Sequence, residues 1–253
     1  MVKKRNWSGL APGFDKDVLF VSHLKSLKFI KRENKKIHIG AGVTLETLLR
    51  DDITPGLLKK AIGLMASPGI RHTATLAGNI GNASPAGDTL PVLYILNAKL
   101  VLENLKREIV VDIKDFITGP GSKDMGKDEI IREIVIDDES FDYMMYEKVG
   151  GRKSDAISKV SFAGAVKSAF GMITEIRFAF GAVAPTIVRD MDFEKRFRET
   201  PVGDLIKTAD FIKEHYEPKI RPINDQRSTA EYRKACALNI LGKFLTETKK
   251  SYK

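Results

Sequence analysis

The stretch ATLAGNIGNASPAGD at residues 74–88 carries the strongest functional signal in this chain. It shows neither the 3.6-residue period of an amphipathic helix nor the two-residue period of a strand, which predicts a loop. Ala77, Gly78 and Gly81 would let a backbone approach a ligand closely. Successive free N–H groups in such a turn can form an anion-binding nest. An ordinary surface loop is the alternative interpretation of the same composition.

Short polar side chains add hydrogen-bonding capacity to this predicted loop: Asn79, Asn82, Ser84 and Asp88. The Asp88 carboxylate could accept hydrogen bonds from the hydroxyls of a ribose. An apolar run at 90–96 follows and indicates a buried element. A small, polar loop set against a core element suits a bound dinucleotide, so the sequence predicts a nucleotide site here.

The remaining patterns predict an α+β protein in which strands are followed by helices. In the first half, strands are expected at 18–21, 37–39, 100–102, 108–112 and 129–136, and helices at 45–50 and 55–65. Charged residues at 31–36 indicate a hairpin turn, and Thr44 suits the N-cap of the first helix. In the second half, an antiparallel sheet is expected from 143–148, 161–167 and 173–180, with helices near 190–198, 202–215 and 228–247.

Composition excludes several classes of function. Apolar residues make up 43% and charged residues 30% of the 253 positions, as is usual for a soluble globular protein. No apolar run reaches the roughly 18 residues of a membrane span. The net charge of +9 is dispersed without interleaved aromatic residues, which argues against nucleic-acid binding. The single cysteine, Cys236, excludes an internal disulfide and an all-cysteine cluster within the chain, which favours a cytoplasmic location.

The stretch at 74–88 resembles the second flavin-binding signature of the FAD-binding (medium) subunits of molybdenum hydroxylases, the xanthine dehydrogenase and carbon monoxide dehydrogenase family. That signature is T-[IL]-G-G-N followed by N-A-S/D-P-x-x-D, and the chain departs from it at Ala77, where the first glycine is usual. Further segments match in the family's order, at 39–49, 146–148, 159–161, 181–189 and 228–233. The chain is thus identified as a member of this family over nearly its whole length.

The resemblance implies two domains, an FAD-binding domain at 1–142 and a C-terminal flavoprotein domain at 143–253. Family members normally begin with a segment that carries a first flavin motif, A-G-G-T-[DN]-[IL], whereas this chain opens MVKKRN. The resemblance therefore suggests an N-terminally truncated FAD-binding domain. A genuine truncation, a wrongly assigned start and one half of a split gene are the alternatives.

The resemblance also implies roles for individual residues. Thr75, Leu76, Ala77, Gly78 and Asn79 would hold the pyrophosphate, with Asn82 and Ser84 as further cofactor contacts and Asp88 on the ribose side. Met65 and Ile131 would pack on the flavin or adenine. Lys148 would lie near the isoalloxazine, where a positive charge favours the reduced anionic form. The alternative for Lys148 is a surface lysine at a strand end.

By this resemblance the chain would transfer electrons through FAD, from an iron–sulfur subunit to NAD or another acceptor, in a complex that also contains a molybdopterin subunit. The alternative is a scaffold subunit that has lost tight FAD binding with the first motif. Losing two or three phosphate hydrogen bonds would cost about 4–6 kcal/mol. That loss corresponds to a thousandfold or more in affinity, at about 1.4 kcal/mol per decade.

Overall fold

The computed structural model describes residues 19–152 and 155–251. The first half of the chain forms a five-stranded antiparallel sheet in the order β1-β2-β7-β3-β4. Its strands are β1 (Ile30–Glu33), β2 (Lys36–Gly40), β3 (Lys99–Glu103), β4 (Glu108–Asp112) and β7 (Ile130–Asp137). A separate small hairpin of β5 (Ile117–Gly119) and β6 (Ser122–Lys123) precedes β7. Asn34 and Lys35 adopt φ values of 51° and 57° between β1 and β2, as a tight hairpin turn requires. The predicted hairpins are confirmed.

Short helices pack against the sheet: α1 (Leu45–Arg50), α2 (Gly56–Gly63), α3 (Pro68–Arg71), α4 (Leu76–Gly81), α5 (Leu90–Ile95) and α6 (Ile113–Phe116). Alternate sheet residues such as Ile39 and Ile134 join helix residues such as Leu58 in one buried core. The Thr44 side chain accepts a hydrogen bond from the Thr47 N–H at 3.2 Å and so caps α1, as predicted.

The second half contains a three-stranded antiparallel sheet in the order β10-β9-β8. Its strands are β8 (Tyr143–Val149), β9 (Val160–Ala169) and β10 (Met172–Gly181), followed by α7 (Met191–Glu194), α8 (Ala209–Tyr216) and α9 (Ala230–Ser251). Aromatic rings fill the core between this sheet and the helices. The ring centroids of Phe162 and Phe178 lie 5.5 Å and 5.8 Å from that of Phe244. Strands followed by helices confirm the α+β prediction for this half.

Helix α5 joins the two halves. Its residues share one core with Ala163 and Ala165 of β9 and Ala179 of β10. Two arginines of the second half, Arg177 and Arg189, donate hydrogen bonds to carbonyls in its last turn. Cations at a helix C-terminus are favoured by the helix dipole and by the unpaired carbonyls. The domain boundary at 142/143 falls between β7 and β8 and stays a prediction.

Two local predictions are wrong. The stretch at 74–88 is not a continuous loop, because α4 occupies residues 76–81, with turns after it. The helix forms because Leu76 and Ile80, four residues apart, are both buried and Thr75 caps its first turn. For the strand predicted at 18–21, residues 19–21 form no strand, and residue 18 lies outside the described residues. In the part of the chain that the structure describes, no helix is long and apolar enough to span a membrane.

Candidate functional site

A buried ion pair links the two halves of the chain beside the predicted flavin loop. The Lys148 ammonium on β8 lies 2.8 Å from Oδ2 of Asp88, which precedes α5. The two side chains are only 7% and 8% exposed. Lys148 Nζ also donates to the backbone carbonyl of Leu64, just after α2, at 2.9 Å. The alternative of a surface lysine is therefore wrong.

The Asp88 carboxylate accepts three hydrogen bonds within the protein. Its Oδ1 accepts hydrogen bonds from Ser158 Oγ at 2.5 Å and from Tyr146 Oη at 3.4 Å, while Oδ2 accepts from Lys148. Tertiary packing thus brings three donors to this one side chain, and Asp88 holds the Lys148 ammonium in place. The contact of Asp88 with a ribose stays a prediction.

Ser158 and Tyr146 are site residues that the sequence did not single out. Tyr146 stands two residues before Lys148 on β8, so the two side chains share a face of that strand. Burial raises the pKa of Tyr146 well above its usual value, and the Asp88 carboxylate raises it further. The phenol therefore stays protonated and donates to Asp88. Ser158 lies 70 residues from Asp88 in the chain, and no local pattern marks it.

At Gly78 of helix α4, the Thr75 hydroxyl is the one group outside the helix backbone that lies close to the glycine. Thr75 Oγ accepts from the Gly78 N–H at 3.0 Å and fixes the first turn. A Cβ added at Gly78 would meet only Thr75 Oγ within 4 Å, at 3.2 Å. At Gly81 the corresponding position lies 3.8 Å from Ile131 Cδ1, so β7 brings Ile131 to this helix. The Cβ side of both glycines therefore leaves room for another group, and the flavin contact of this helix stays a prediction.

The other predicted residues divide between internal and exposed positions. Asn79 Oδ1 accepts a hydrogen bond from Thr89 Oγ at 2.6 Å, which ties α4 to the start of α5. Ser84 Oγ accepts from the Ala86 N–H at 3.4 Å, and Asn82 is exposed. The side chains of Leu76 and Ala77 belong to the core, so they offer a ligand mainly their backbone. Met65 packs on the edge of the same core, in the turn after α2.

A cleft of about 430 Å³ lies between α2 and β8. Leu64 and Lys60 line it on one side, and Tyr146, Lys148 and Ala156 on the other. Of the residues predicted as the site, Lys148 alone lines this cleft. The predicted residues at 75–84 are not among its lining residues. The volume is that of a small-molecule pocket, and a cation at its wall suits an electron-accepting ring. Lys148 is thus the predicted site residue that faces this cleft.

Among the described residues, no group of three or more histidine, cysteine, aspartate or glutamate side chains could hold a metal ion.

Comparison with known proteins identifies both halves. Residues 14–137 match the family model of the FAD binding domain in molybdopterin dehydrogenase. Residues 145–248 match that of the CO dehydrogenase flavoprotein C-terminal domain. Together the two models match most of the chain.

Curated relatives agree with these models. The chain is 29% identical to the glyceraldehyde dehydrogenase medium chain of Sulfolobus acidocaldarius, over 86% of this chain and 77% of the relative. It is 29% identical to the xanthine dehydrogenase FAD-binding subunit of Escherichia coli O157:H7, over 79% of this chain and 70% of the relative. It is 34% identical to the nicotinate dehydrogenase FAD-subunit of Eubacterium barkeri, over 59% of this chain and 53% of the relative.

A solved structure shows the same fold. The reconstituted CO dehydrogenase from Oligotropha carboxidovorans matches with a TM-score of 0.82 and 23% identity, over 90% of this chain and 80% of the solved chain. The two-domain α+β architecture is thereby confirmed, and FAD is the cofactor that the matched domain binds. The chain belongs to the family of FAD-binding oxidoreductase subunits of molybdopterin dehydrogenases.

Proposed function

We propose that this chain is the FAD-binding electron-transfer subunit of a molybdenum-dependent hydroxylase. The observation that carries the proposal is the buried Lys148–Asp88 pair at the wall of a cleft, beside a helix whose backbone is open at Gly78. A buried ion pair adds little to stability by comparison with apolar packing. Its cost is more easily explained by a role at a binding site.

Each part of the site has a proposed task. The segment 75–79 would hold the pyrophosphate, with Asn82 and Ser84 as further contacts, while Met65 and Ile131 would pack on the cofactor. FAD, when bound, supplies the one- and two-electron chemistry. Lys148 would place a positive charge beside the ring, and Asp88 would hold that ammonium in position. Since Asp88 balances the charge of Lys148, the pair moderates the local potential instead of imposing a full positive charge.

We further propose an iron–sulfur subunit and a molybdopterin subunit as partners, with NAD or another molecule as electron acceptor. Relatives described as a medium chain and as FAD-subunits support the assembly, because such a subunit works within a larger enzyme. The single cysteine supports the need for an iron–sulfur partner, because iron–sulfur clusters are held mainly by cysteine thiolates. It also supports a cytoplasmic location.

The proposal is tested by co-expressing the chain with its neighbouring genes. We expect a complex that contains stoichiometric FAD and an iron–sulfur protein, with visible flavin absorbance that bleaches when the substrate of the molybdenum subunit is added. Because the net charge is +9, association should slow as salt rises and screens long-range attraction. A chain that neither binds FAD nor joins such a complex at low salt would contradict the proposal and favour a scaffold role.

A further inference from the structure

Lys148 is held by two acceptors, and one of them is supplied by an irregular turn. The turn connects α2 to α3 and contains Leu64, whose carbonyl accepts from Lys148 Nζ at 2.9 Å. Two residues later, Ala66 has a φ of 53°, in the left-handed region that residues with a Cβ seldom adopt. A backbone in this conformation persists only where its surroundings hold it. On the side of α2, the Met65 N–H holds the peptide of the Leu64 carbonyl by donating to the Ile62 carbonyl at 3.1 Å. On its other side, the position of this carbonyl depends on what restrains residues 65–66.

Arg71 supplies that restraint. Its Nη1 donates to the carbonyl of Met65 at 3.1 Å and to that of Ala66 at 3.0 Å. Its Nε donates to Oε2 of Glu46 on α1 at 3.1 Å. The guanidinium thus reaches the turn and α1 at once, as its fixed fork of donors allows.

Glu46 on α1 holds Arg71 in place. The side chains of Glu46 and Arg71 are only 9% and 12% exposed. Hydrogen bonds from Arg71 and Arg50 lower the pKa of Glu46, so the carboxylate stays ionised at neutral pH. Arg50 contacts the other oxygen of Glu46 at 3.0 Å, but its side chain is 75% exposed and no hydrogen bond joins it to the turn among the described residues.

We propose that Glu46 and Arg71 are positioning residues for Lys148: they clamp the 64–66 turn so that the Leu64 carbonyl and Asp88 together hold the ammonium at the cleft. The consequence for the flavin rests on the proposed function, whereas the clamp itself is a property of the chain alone. Arg71 acts on Lys148 through the turn, with no direct contact between the two cations.

The test measures how fast Lys148 reacts with an amine-acetylating reagent, read by mass spectrometry on the full chain without flavin. Arg71→Gln should raise the labelling rate of Lys148 roughly tenfold, since about one hydrogen bond to the ammonium is lost. Arg71→Lys, which keeps the charge but not the fork, should give an intermediate rate. The exposed Lys195, directly after α7, serves as the internal reference and should keep its wild-type rate.

Arg50→Gln is the matched control, because it removes the other partner of Glu46 without touching the turn, and it should leave Lys148 within twofold of wild type. Equal acceleration in Arg50→Gln and Arg71→Gln, or an unchanged Lys148 rate in Arg71→Gln, would overturn the proposal. If Arg71→Gln does not fold, Glu46→Gln is measured in its place, with the same expected direction and the same reference. Because the reaction is followed without flavin, its result is independent of the proposed function, which a separate FAD titration of the same variants tests.

Discussion

The buried pair of Lys148 and Asp88 leads to a quantitative prediction for stability. We consider Lys148→Met, which keeps the length of the side chain, Asp88→Asn, which keeps its shape, and the double variant. In the wild type the charged atoms lie 2.8 Å apart and both side chains are more than nine-tenths buried. Removing one partner of such a pair leaves a buried charge without compensation and costs about 3–5 kcal/mol.

The structure ranks the two single variants. After Lys148→Met, Asp88 keeps its hydrogen bonds from Ser158 and Tyr146, so the loss should lie near 3 kcal/mol, the low end of the range for a broken buried pair. After Asp88→Asn, Lys148 keeps only the Leu64 carbonyl as a full acceptor, so the loss should approach about 5 kcal/mol. The double variant buries neither charge. Its loss of unfolding free energy should therefore be smaller than the sum of the two single losses by about 2 kcal/mol or more.

Urea unfolding of the flavin-free chain measures these losses. The dependence of the unfolding free energy on urea concentration is compared between variants, because a shift in midpoint at an unchanged slope reports a change in stability. Lys195→Met is the control, because its pair with Asp192 is exposed and should contribute about 0–1 kcal/mol. Single losses below about 1 kcal/mol, or additive losses in the double variant, would refute the reasoning. With flavin bound, the same variants should shift its reduction potential in opposite directions, downward for Lys148→Met and upward for Asp88→Asn, because reduction adds negative charge beside the ammonium.

Three further outcomes can be checked. Gly78→Val should weaken FAD binding at least about tenfold, measured by fluorescence titration, because it covers the open backbone of α4, whereas Gly203→Val, with nothing within 4 Å of its Cβ position, should bind as wild type does. Gly164→Ala should lower the free energy of unfolding by about 1–3 kcal/mol, since its Cβ would stand 2.7 Å from an aromatic ring of α9. Burial opposes ionisation of Asp190, but hydrogen bonds from the Phe193 N–H and from neighbouring basic side chains lower its pKa to about 2. The difference in unfolding free energy between wild type and Asp190→Asn should thus be fully present above the ordinary pKa of 3.8 and should disappear as pH falls towards 2. A difference in urea midpoint that stays constant across that pH range would contradict this prediction.

The sequence by itself determined the elements whose signals are local. Thr44 caps α1, and a polar turn at 34–35 joins β1 to β2, because caps and turns depend on residues within a few positions of one another. Two apolar runs around a polar turn placed β3 and β4, and a run rich in isoleucine placed β7, for the same reason. The order of short motifs along the chain was enough to indicate the family and its cofactor.

Only the tertiary structure decided how the site is built. Helix α4 was missed because its six residues are too few to show a period, and burial of Leu76 and Ile80 stabilises it more than local propensity does. The ion pair between Asp88 and Lys148 joins residues that stand 60 positions apart in the chain. Lys148 also needs the Leu64 carbonyl, a backbone group that no residue type marks. Hydrogen-bond partners and burial depend on contacts between segments that are distant in the chain. Those contacts form only when the chain folds, so no local pattern in the sequence marks them.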